Sequence, residues 1–255
     1  CIVKIKIRIE PLFVKTPLVP LQKEFETDTR VTMYYGWIIA SCGFLISFVG
    51  FGIRYSYGVF LSSLEAEFEM TRTASSVIFS ANMVLCAFIA FFSGWLLDRY
   101  GPRPLGIFFG VFTTMSLIST SMVSASWQLF VTYSLLLALG TGAIYSVVNA
   151  TVSRWFITRR GLAVGFASSG GGTGIFAFSP LASYLILSYE WRSAFYVIGV
   201  FSGAAMIILA LFLRKDPSDL DLQPDGAESG VAERAIRPSP AYPMSQFFKA
   251  KQLWQ

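Results

Sequence analysis

The sequence contains no histidine and few charged residues. Among its 255 residues there is no His, and Asp, Glu, Lys and Arg together make up only 14%. Without His the chain has no Ser–His or Cys–His nucleophilic pair, no His-ligated zinc site and no imidazole proton carrier. We therefore predict that the protein is not an enzyme, with no catalytic residues, no metal site and no cofactor.

Cysteine is also scarce. Cys1, Cys42 and Cys86 are too few and too far apart for a disulfide framework or a cysteine-rich metal site. The net charge of +5 comes from short basic clusters between apolar runs, not from one continuous basic face. This spacing argues against a nucleic-acid partner and is typical of the rim of a membrane protein.

Apolar residues dominate instead, at 54% of the chain with a mean hydropathy of +0.59. Runs of 20 or more apolar residues recur, and each can cross a hydrocarbon core of about 30 Å as a helix. Because a backbone in lipid must satisfy its own hydrogen bonds, we predict an all-α membrane protein, a six-transmembrane-helix bundle embedded in a lipid bilayer over residues 34–213. The predicted spans are 37–60, 74–97, 105–126, 129–152, 162–188 and 194–213.

The flanking regions have a different composition. Residues 1–33 are mixed polar and apolar, and we interpret them as either a disordered leader or a mis-called start, since Met33 directly precedes YYGW. Residues 214–243 are rich in Asp, Pro, Gly and Ser and predict a cytoplasmic linker. Residues 244–255, MSQFFKAKQLWQ, are typical of the approach to another helix, so we expect the sequence to stop in mid-protein.

The basic residues predict an orientation in the membrane. With the N-terminus inside, seven Lys or Arg residues lie in inner loops and two in outer loops, as the positive-inside rule requires. We therefore expect a multi-pass protein of the plasma (inner) membrane with a cytoplasmic N-terminus. The inner residues are Arg99, Arg103, Arg154, Arg159, Arg160, Arg214 and Lys215, and the outer ones are Arg72 and Arg192.

The stretch GWLLDRYGPRP at the inner end of the second span is similar to the loop signature of the major facilitator superfamily, G-x-x-x-D-[RK]-x-G-x-[RK]-[RK]. Pro104 stands at the last basic position of that signature. A second stretch, SRWFITRRGLAVG at 153–165, resembles an inner loop of the monocarboxylate transporter and oxalate–formate antiporter branch, as do YYGW, RYSYGVF and EWRSAF. The residues that match the signature are Gly94, Asp98, Arg99, Gly101 and Arg103.

This resemblance, over roughly residues 34–213, implies a fold and a function. It implies the N-terminal half of a twelve-helix major facilitator fold, and a secondary active transporter of monocarboxylates or dicarboxylates working by alternating access as a symporter or antiporter. The C-terminal six-helix half is then expected to be missing from this chain. In the family the signature loop closes the inner side, which implies a gating role for the five matching residues. Alternatively, its charges only anchor the topology.

Arg54 is the one charged residue within the six predicted spans. An arginine in hydrocarbon costs a few kcal/mol, so such residues usually face the bundle interior or a water-filled cavity. Gly43, Ser47, Gly50, Arg54 and Tyr57 are spaced 4, 3, 4 and 3 residues apart and share one helix face. A cation on this small, polar face suits a carboxylate substrate. Alternatively, Arg54 snorkels to the outer rim.

A second polar stripe lies on the fourth span and includes Thr141, Tyr145 and Asn149. Similar transporters place a substrate-contacting aromatic residue near Tyr145. We predict a substrate site in which Arg54 attracts the carboxylate, Tyr145 and Asn149 orient it, and Tyr57 also contributes. The alternative is that the polar stripe bonds a neighbouring helix.

Two other features bear on function. The glycine-rich stretch GLAVGFASSGGGTGIFAFSP in the fifth span predicts close helix packing, because no strand precedes it and no GK[ST] follows it. Besides an anion transporter, the sequence leaves open a major facilitator carrier of a neutral solute and a self-contained six-helix channel or membrane adaptor.

Overall fold

The computed structural model describes residues 34–220 and 222–225. The predicted leader and the predicted approach to another helix at 244–255 lie outside the described residues. In the described part, five helices are long and apolar enough to cross a membrane, and a 3-10 helix at Pro217–Leu220 follows them. The five are α1 (Tyr35–Phe68), α2 (Arg72–Tyr100), α3 (Pro102–Ser121), α4 (Ser126–Trp155) and α5 (Arg160–Phe212).

The helix α5 consists of two arms that meet at Glu190. This residue is not helical, with φ 67° and ψ 161°, and it separates an arm at 160–189 from an arm at 191–212. Trp155, just before the first arm, donates a hydrogen bond from Nε1 to the carbonyl of Arg214, just after the second arm, at 3.3 Å. Both arms therefore have their far ends on the same side of the bundle, and they hold the fifth and sixth predicted spans.

Local sequence signals set both ends of α2. The Thr71 side chain caps the start of α2 by accepting a hydrogen bond from the Ala74 N–H at 3.3 Å. At the other end Gly101 has φ 79°, a conformation that favours glycine, and Pro102 is the first residue of α3. Gly101 and Pro102 therefore form a tight turn between α2 and α3.

Both α1 and α4 are interrupted. In α1 the helices Tyr35–Tyr55 and Tyr57–Phe68 meet at Ser56, whose hydroxyl donates to the Ile53 carbonyl at 2.8 Å. Such breaks rotate the residues that follow them relative to those before. The parts of α4 are Ser126–Leu129, a π-helical segment at Phe130–Leu136, Leu137–Thr141 and Ile144–Trp155.

Asn82 of α2 is completely buried against the π-helical segment of α4. A π-helical segment disturbs the regular pairing of backbone groups, which leaves carbonyls available to side chains. The Asn82 side-chain amide donates to the carbonyls of Tyr133 and Ser134, both at 3.2 Å, and the Ser134 hydroxyl donates to the Ile78 carbonyl at 2.7 Å. These bonds fix α2 against α4.

Glycines let α5 pack closely on its neighbours. On the first arm, a Cβ at Gly170 or Gly174 would clash with the carbonyl oxygens of Phe44 and Phe48 in α1. On the second arm, a Cβ at Gly199 would lie 2.8 Å from the Leu117 side chain of α3. The prediction of close packing for the glycine-rich stretch is confirmed, and it follows from the absence of a side chain at these contacts.

The two ends of the bundle carry opposite charge. We call the end with the seven predicted inner Lys and Arg residues the basic end, and the end with Glu65, Glu67, Glu69 and Glu190 the acidic end. At the acidic end the Arg192 guanidinium pairs with Glu67 at 3.1 Å and donates to the Val123 carbonyl at 2.7 Å. These bonds join α1, α5 and the loop between α3 and α4.

The residues after α5 fold back onto the basic end. The Asp225 N–H donates to the Trp155 carbonyl at 3.1 Å, and the Asp225 carbonyl accepts from Ile157 and Thr158 at 3.1 and 3.2 Å. The Tyr34 hydroxyl donates to the same Trp155 carbonyl at 2.7 Å, and burial raises the pKa of this phenol, which keeps it protonated. The predicted linker therefore begins with an ordered segment.

Candidate functional site

Arg54 lies near the middle of α1, level with the middle of α2. One Nη atom of its guanidinium donates to the Met83 sulfur at 3.2 Å, while its Nε is buried and has no hydrogen-bond partner among the described residues. A thioether is a weak acceptor. The Arg54 guanidinium is therefore held in place without a strong partner.

A groove of about 380 Å³ opens beside this guanidinium, which is within the size range of small-molecule sites. We call it the Arg54 groove. It is formed by α1, α2 and α4, and its side chains are mostly apolar. Its lining includes Phe51, Arg54, Met83, Cys86, Tyr145 and Ser146.

Aromatic rings surround the cation. The guanidinium carbon of Arg54 lies 5.7 Å from the ring centres of both Phe51 and Tyr55, a distance at which a cation is attracted to the ring. The Tyr145 ring meets the Phe51 ring edge-on at 6.2 Å, and 54% of Tyr145 is exposed. Tyr145 thus reaches the same groove from α4, and its role in binding a substrate stays a prediction.

Tyr133 also positions this site, and the sequence offered no signal for it. Its ring is fully buried, and its hydroxyl donates to the Arg54 carbonyl at 3.0 Å. The break at Ser56 leaves that carbonyl available. Tyr133 belongs to the π-helical segment, so the irregularities of α1 and α4 are bonded to each other next to Arg54.

The structure does not bring Tyr57 and Asn149 to the Arg54 groove. Tyr57 is buried, and its hydroxyl donates to the Ser75 carbonyl at 3.1 Å because the break at Ser56 turns this residue away from the Arg54 face. Asn149 accepts a hydrogen bond from the Ser168 hydroxyl of α5 at 2.9 Å. The sequence predicts one substrate site formed by Arg54, Tyr57, Tyr145 and Asn149. In the structure the side chains of Tyr57 and Asn149 instead bond neighbouring helices.

Asp98, from the signature loop, forms an ion pair at the basic end. Its carboxylate lies 2.6 Å from the Arg154 guanidinium of α4, and Lys215 donates to its backbone carbonyl at 2.8 Å. Arg154 also lies 3.8 Å from the Asp216 carboxylate. The pair thus joins the ends of α2 and α4 and the segment after α5.

The basic residues of the loop have different partners. The Arg103 Nε donates to the Leu211 carbonyl of α5 at 2.8 Å, and the Arg99 guanidinium lies 5.5 Å from the ring centre of Trp95. Among the described ion pairs, neither arginine pairs with Asp98.

Gly94 does not bring α2 close to another helix of the described bundle. A Cβ at this position would meet no atom within 4 Å. Gly94 instead lies on an open face of α2, where side chains such as Phe91 and Trp95 are more than half exposed.

Comparison with known proteins gives a consistent result. Residues 43–254 match the sequence model of the Major Facilitator Superfamily. Over 187 residues the chain is 30% identical to monocarboxylate transporter 13 of Bos taurus, which covers 72% of this chain and 44% of that protein. It is 29% identical over 163 residues to the oxalate:formate antiporter of Oxalobacter formigenes, covering 64% of this chain and 39% of that protein.

A further relative is named for a different substrate. Over 205 residues the chain is 28% identical to riboflavin transporter RibJ of Trypanosoma brucei brucei, covering 76% of this chain and 38% of that protein. The chain therefore spans about two fifths of the length of the relatives it matches.

Proposed function

Because the chain belongs to the Major Facilitator Superfamily, we propose that it forms one half of a secondary active transporter that carries small carboxylates by alternating access. Family membership and its apolar helices make it a multi-pass membrane protein of a transporter family, not an enzyme. The length of the relatives supports a second six-helix half as its partner. The observation that carries the proposal is the half-buried Arg54 guanidinium in a groove at mid-bundle.

The chemistry of Arg54 favours an anion. Its guanidinium offers planar pairs of N–H donors, which match the two oxygens of a carboxylate. The present acceptor is the Met83 sulfur at 3.2 Å, and exchanging this weak acceptor for a carboxylate strengthens the hydrogen bond. Tyr145 is proposed to orient the bound anion from the opposite wall. Tyr57 and Asn149 are proposed to support the site through their interhelical bonds.

Uptake into vesicles tests this function. The complete transporter, in which this chain is joined to a second six-helix half, is purified, reconstituted in phosphatidylcholine vesicles with anionic lipid, and supplied with labelled formate, oxalate, lactate or riboflavin. We expect saturable uptake of at least one carboxylate that unlabelled carboxylate inside the vesicles accelerates, and no uptake of riboflavin. Saturable uptake of riboflavin without carboxylate uptake would contradict the proposal.

That last outcome would support the second candidate, a carrier of a neutral solute. The similarity to a protein named riboflavin transporter RibJ favours it, as do the aromatic walls of the groove, since flat aromatic solutes stack on such rings. In this case Arg54 would act on a polar group of the solute, and its charge would matter little.

We also propose that the N-terminus and the basic end face the cytoplasm in the plasma membrane, following the excess of Lys and Arg at that end. Ser124→Cys at the acidic end and Thr158→Cys at the basic end, each introduced into a Cys1→Ser background, test the orientation, because Cys42 and Cys86 are buried. In intact cells a membrane-impermeant thiol reagent is expected to label position 124 only. Labelling of position 158 alone would reverse the orientation.

We propose that the Asp98–Arg154 pair belongs to the gate at the basic end. The pair breaks if α2 and α4 move apart there, so its strength sets how readily that end opens. The residues proposed to act in this gate are Gly94, Asp98, Arg99, Gly101 and Arg103.

Replacing Asp98 with Asn is expected to lower uptake by roughly twofold to fivefold, because the closed state of the gate loses an ion pair that contributes about 1 kcal/mol or less. The amount of folded protein is expected to stay constant, since 69% of the Asp98 side chain is exposed and exposed pairs contribute about 1 kcal/mol or less to stability. Asp216→Asn, which removes only the longer contact to Arg154, is the control. Full uptake by the Asp98→Asn variant would exclude the gate role.

A further inference from the structure

A second cavity, of about 280 Å³, lies at the basic end where α2 meets α3 and where α5 ends. It is separate from the Arg54 groove and shares no lining residue with it. Four of its lining side chains are cationic and one is acidic. They are Arg99, Arg103, Arg214, Lys215 and Asp219.

Several of these cations have unused donors. The Arg214 Nε is buried without a hydrogen-bond partner among the described residues. Arg103 uses its Nε on the Leu211 carbonyl, and the described hydrogen bonds assign no partner to its Nη atoms. Leaving a buried cationic donor unpaired is unfavourable, so an anion in this cavity would stabilise it.

The acidic residue does not neutralise the cluster. Asp219 closes a backbone turn by accepting from the Asp216 N–H at 3.3 Å, and no described ion pair joins it to a cavity cation. The first turn of α3, a 20-residue helix that begins at Pro102, also lines the cavity. The positive end of a helix dipole adds to the attraction for an anion.

The surroundings of the cavity are apolar and exposed. Trp95 and Tyr100 are 58% and 54% exposed, and the Arg99 guanidinium lies 5.5 and 5.8 Å from their ring centres. Aromatic side chains in this position are typical of the level where lipid headgroups meet acyl chains. A ligand with an anionic head and an apolar tail therefore fits both the cavity and its surroundings.

We propose that this cavity binds the phosphate of an anionic phospholipid headgroup. The phosphate accepts hydrogen bonds from Arg103 and Arg214, with Arg99 and Lys215 adding positive charge, while the acyl chains run along the exposed face of α2. Basic pockets between transmembrane helices bind anionic headgroups in this manner. The site is independent of the solute that the protein carries.

Tryptophan quenching by brominated lipids tests the site. The protein is reconstituted in phosphatidylcholine vesicles that contain phosphatidylglycerol, with bromine on the acyl chains of one lipid at a time, and Trp95 serves as the nearby fluorophore. The cavity variant is Arg99→Gln with Arg214→Gln, since neither side chain donates a described hydrogen bond. The matched control is Arg159→Gln with Arg160→Gln, which removes the same charge at the same end outside the cavity.

The cavity variant is expected to lose about thirtyfold in the binding of phosphatidylglycerol relative to phosphatidylcholine, or about fivefold for each cation removed. The control variant is expected to lose less than threefold. Equal losses in the two variants would assign the preference to general surface charge and overturn the proposal.

Two further measurements make the result decisive. If the double variant loses its helical circular dichroism signal, Arg99→Gln alone replaces it, because Arg99 is exposed. This single variant is expected to lose about fivefold in phosphatidylglycerol binding relative to phosphatidylcholine. Binding of labelled inorganic phosphate to lipid-free protein in detergent distinguishes the source of the phosphate. Weak binding, with a Kd for phosphate above about 10 mM, supports a lipid ligand. Saturation at micromolar phosphate would assign the cavity to a soluble anion and overturn the lipid assignment.

Discussion

Replacing Arg54 with Gln is expected to lower carboxylate uptake by roughly 10-fold to 150-fold. A hydrogen bond between a guanidinium and a carboxylate contributes about 1.5 to 3 kcal/mol, which corresponds to this range in apparent affinity. Gln can still donate to the Met83 sulfur but carries no charge, so the groove keeps its shape and loses its attraction for anions. Initial rates over a range of substrate concentrations in reconstituted vesicles measure the effect as a rise in KM.

Two variants serve as controls for Arg54→Gln. Arg54→Lys keeps the charge but loses the planar pair of donors, so we expect an intermediate loss. Arg72→Gln removes an exposed arginine at the acidic end and should leave KM unchanged. If Arg54→Gln takes up carboxylates as well as the unmodified protein, the guanidinium does not bind the substrate and the neutral-solute candidate gains support.

Replacing Gly174 with Ala is expected to destabilise the bundle by about 3 kcal/mol, near the upper end of the range for overpacked interiors. The added Cβ would clash with the carbonyl oxygen of Phe48, and its contacts to the Phe48 carbonyl carbon and Cα would be 2.8 and 2.9 Å. These are backbone atoms, so no rotamer change relieves the clash, and α5 must move away from α1. The thermal midpoint of detergent-solubilised protein measures the loss.

Gly172→Ala is the matched control, because it lies two residues away on the same helix and its Cβ would meet no atom within 4 Å. We expect it to be neutral or to stabilise the helix by less than about 1 kcal/mol. A Gly174→Ala variant as stable as Gly172→Ala would show that α5 does not pack on α1 at this distance.

The helical membrane fold follows from the sequence because lipid leaves the backbone few choices. Long apolar runs with no charge must form helices there, and Gly101 with Pro102 marks a turn in any context. The polar residues between the predicted spans 162–188 and 194–213 predict a break near Glu190, but they do not predict its backbone conformation. Neither glycine nor proline stands at Glu190, and it adopts a positive φ because the two arms pack on different neighbours.

The site was only partly predictable. The isolated charge singles out Arg54, and the polar stripe singles out Tyr145. Helical spacing assigns Tyr57 to the same face as Arg54 only if α1 is regular, and the break at Ser56 removes that condition. The π-helical segment likewise changes which residues of α4 share a face. No residue pattern in its sequence, FVTYSLL, predicts a π-helix.

The sequence does not predict which charged residues form ion pairs when they lie far apart along the chain. Asp98 and Arg154 lie in different helices, and the ion pair depends on how α2 and α4 are placed side by side. Their residue types are compatible with many other pairs at the same end. Only the packing of the bundle selects this one.

The segment at Asp225 gives the bundle a mechanical link at its basic end. Three backbone hydrogen bonds hold it to the residues that connect α4 with α5, and each contributes about 1 kcal/mol. If α4 tilts, the segment at Asp225 must either move with it or lose all three hydrogen bonds. The chain after Asp225 therefore continues from a point fixed to the end of α4, and not directly from the end of α5.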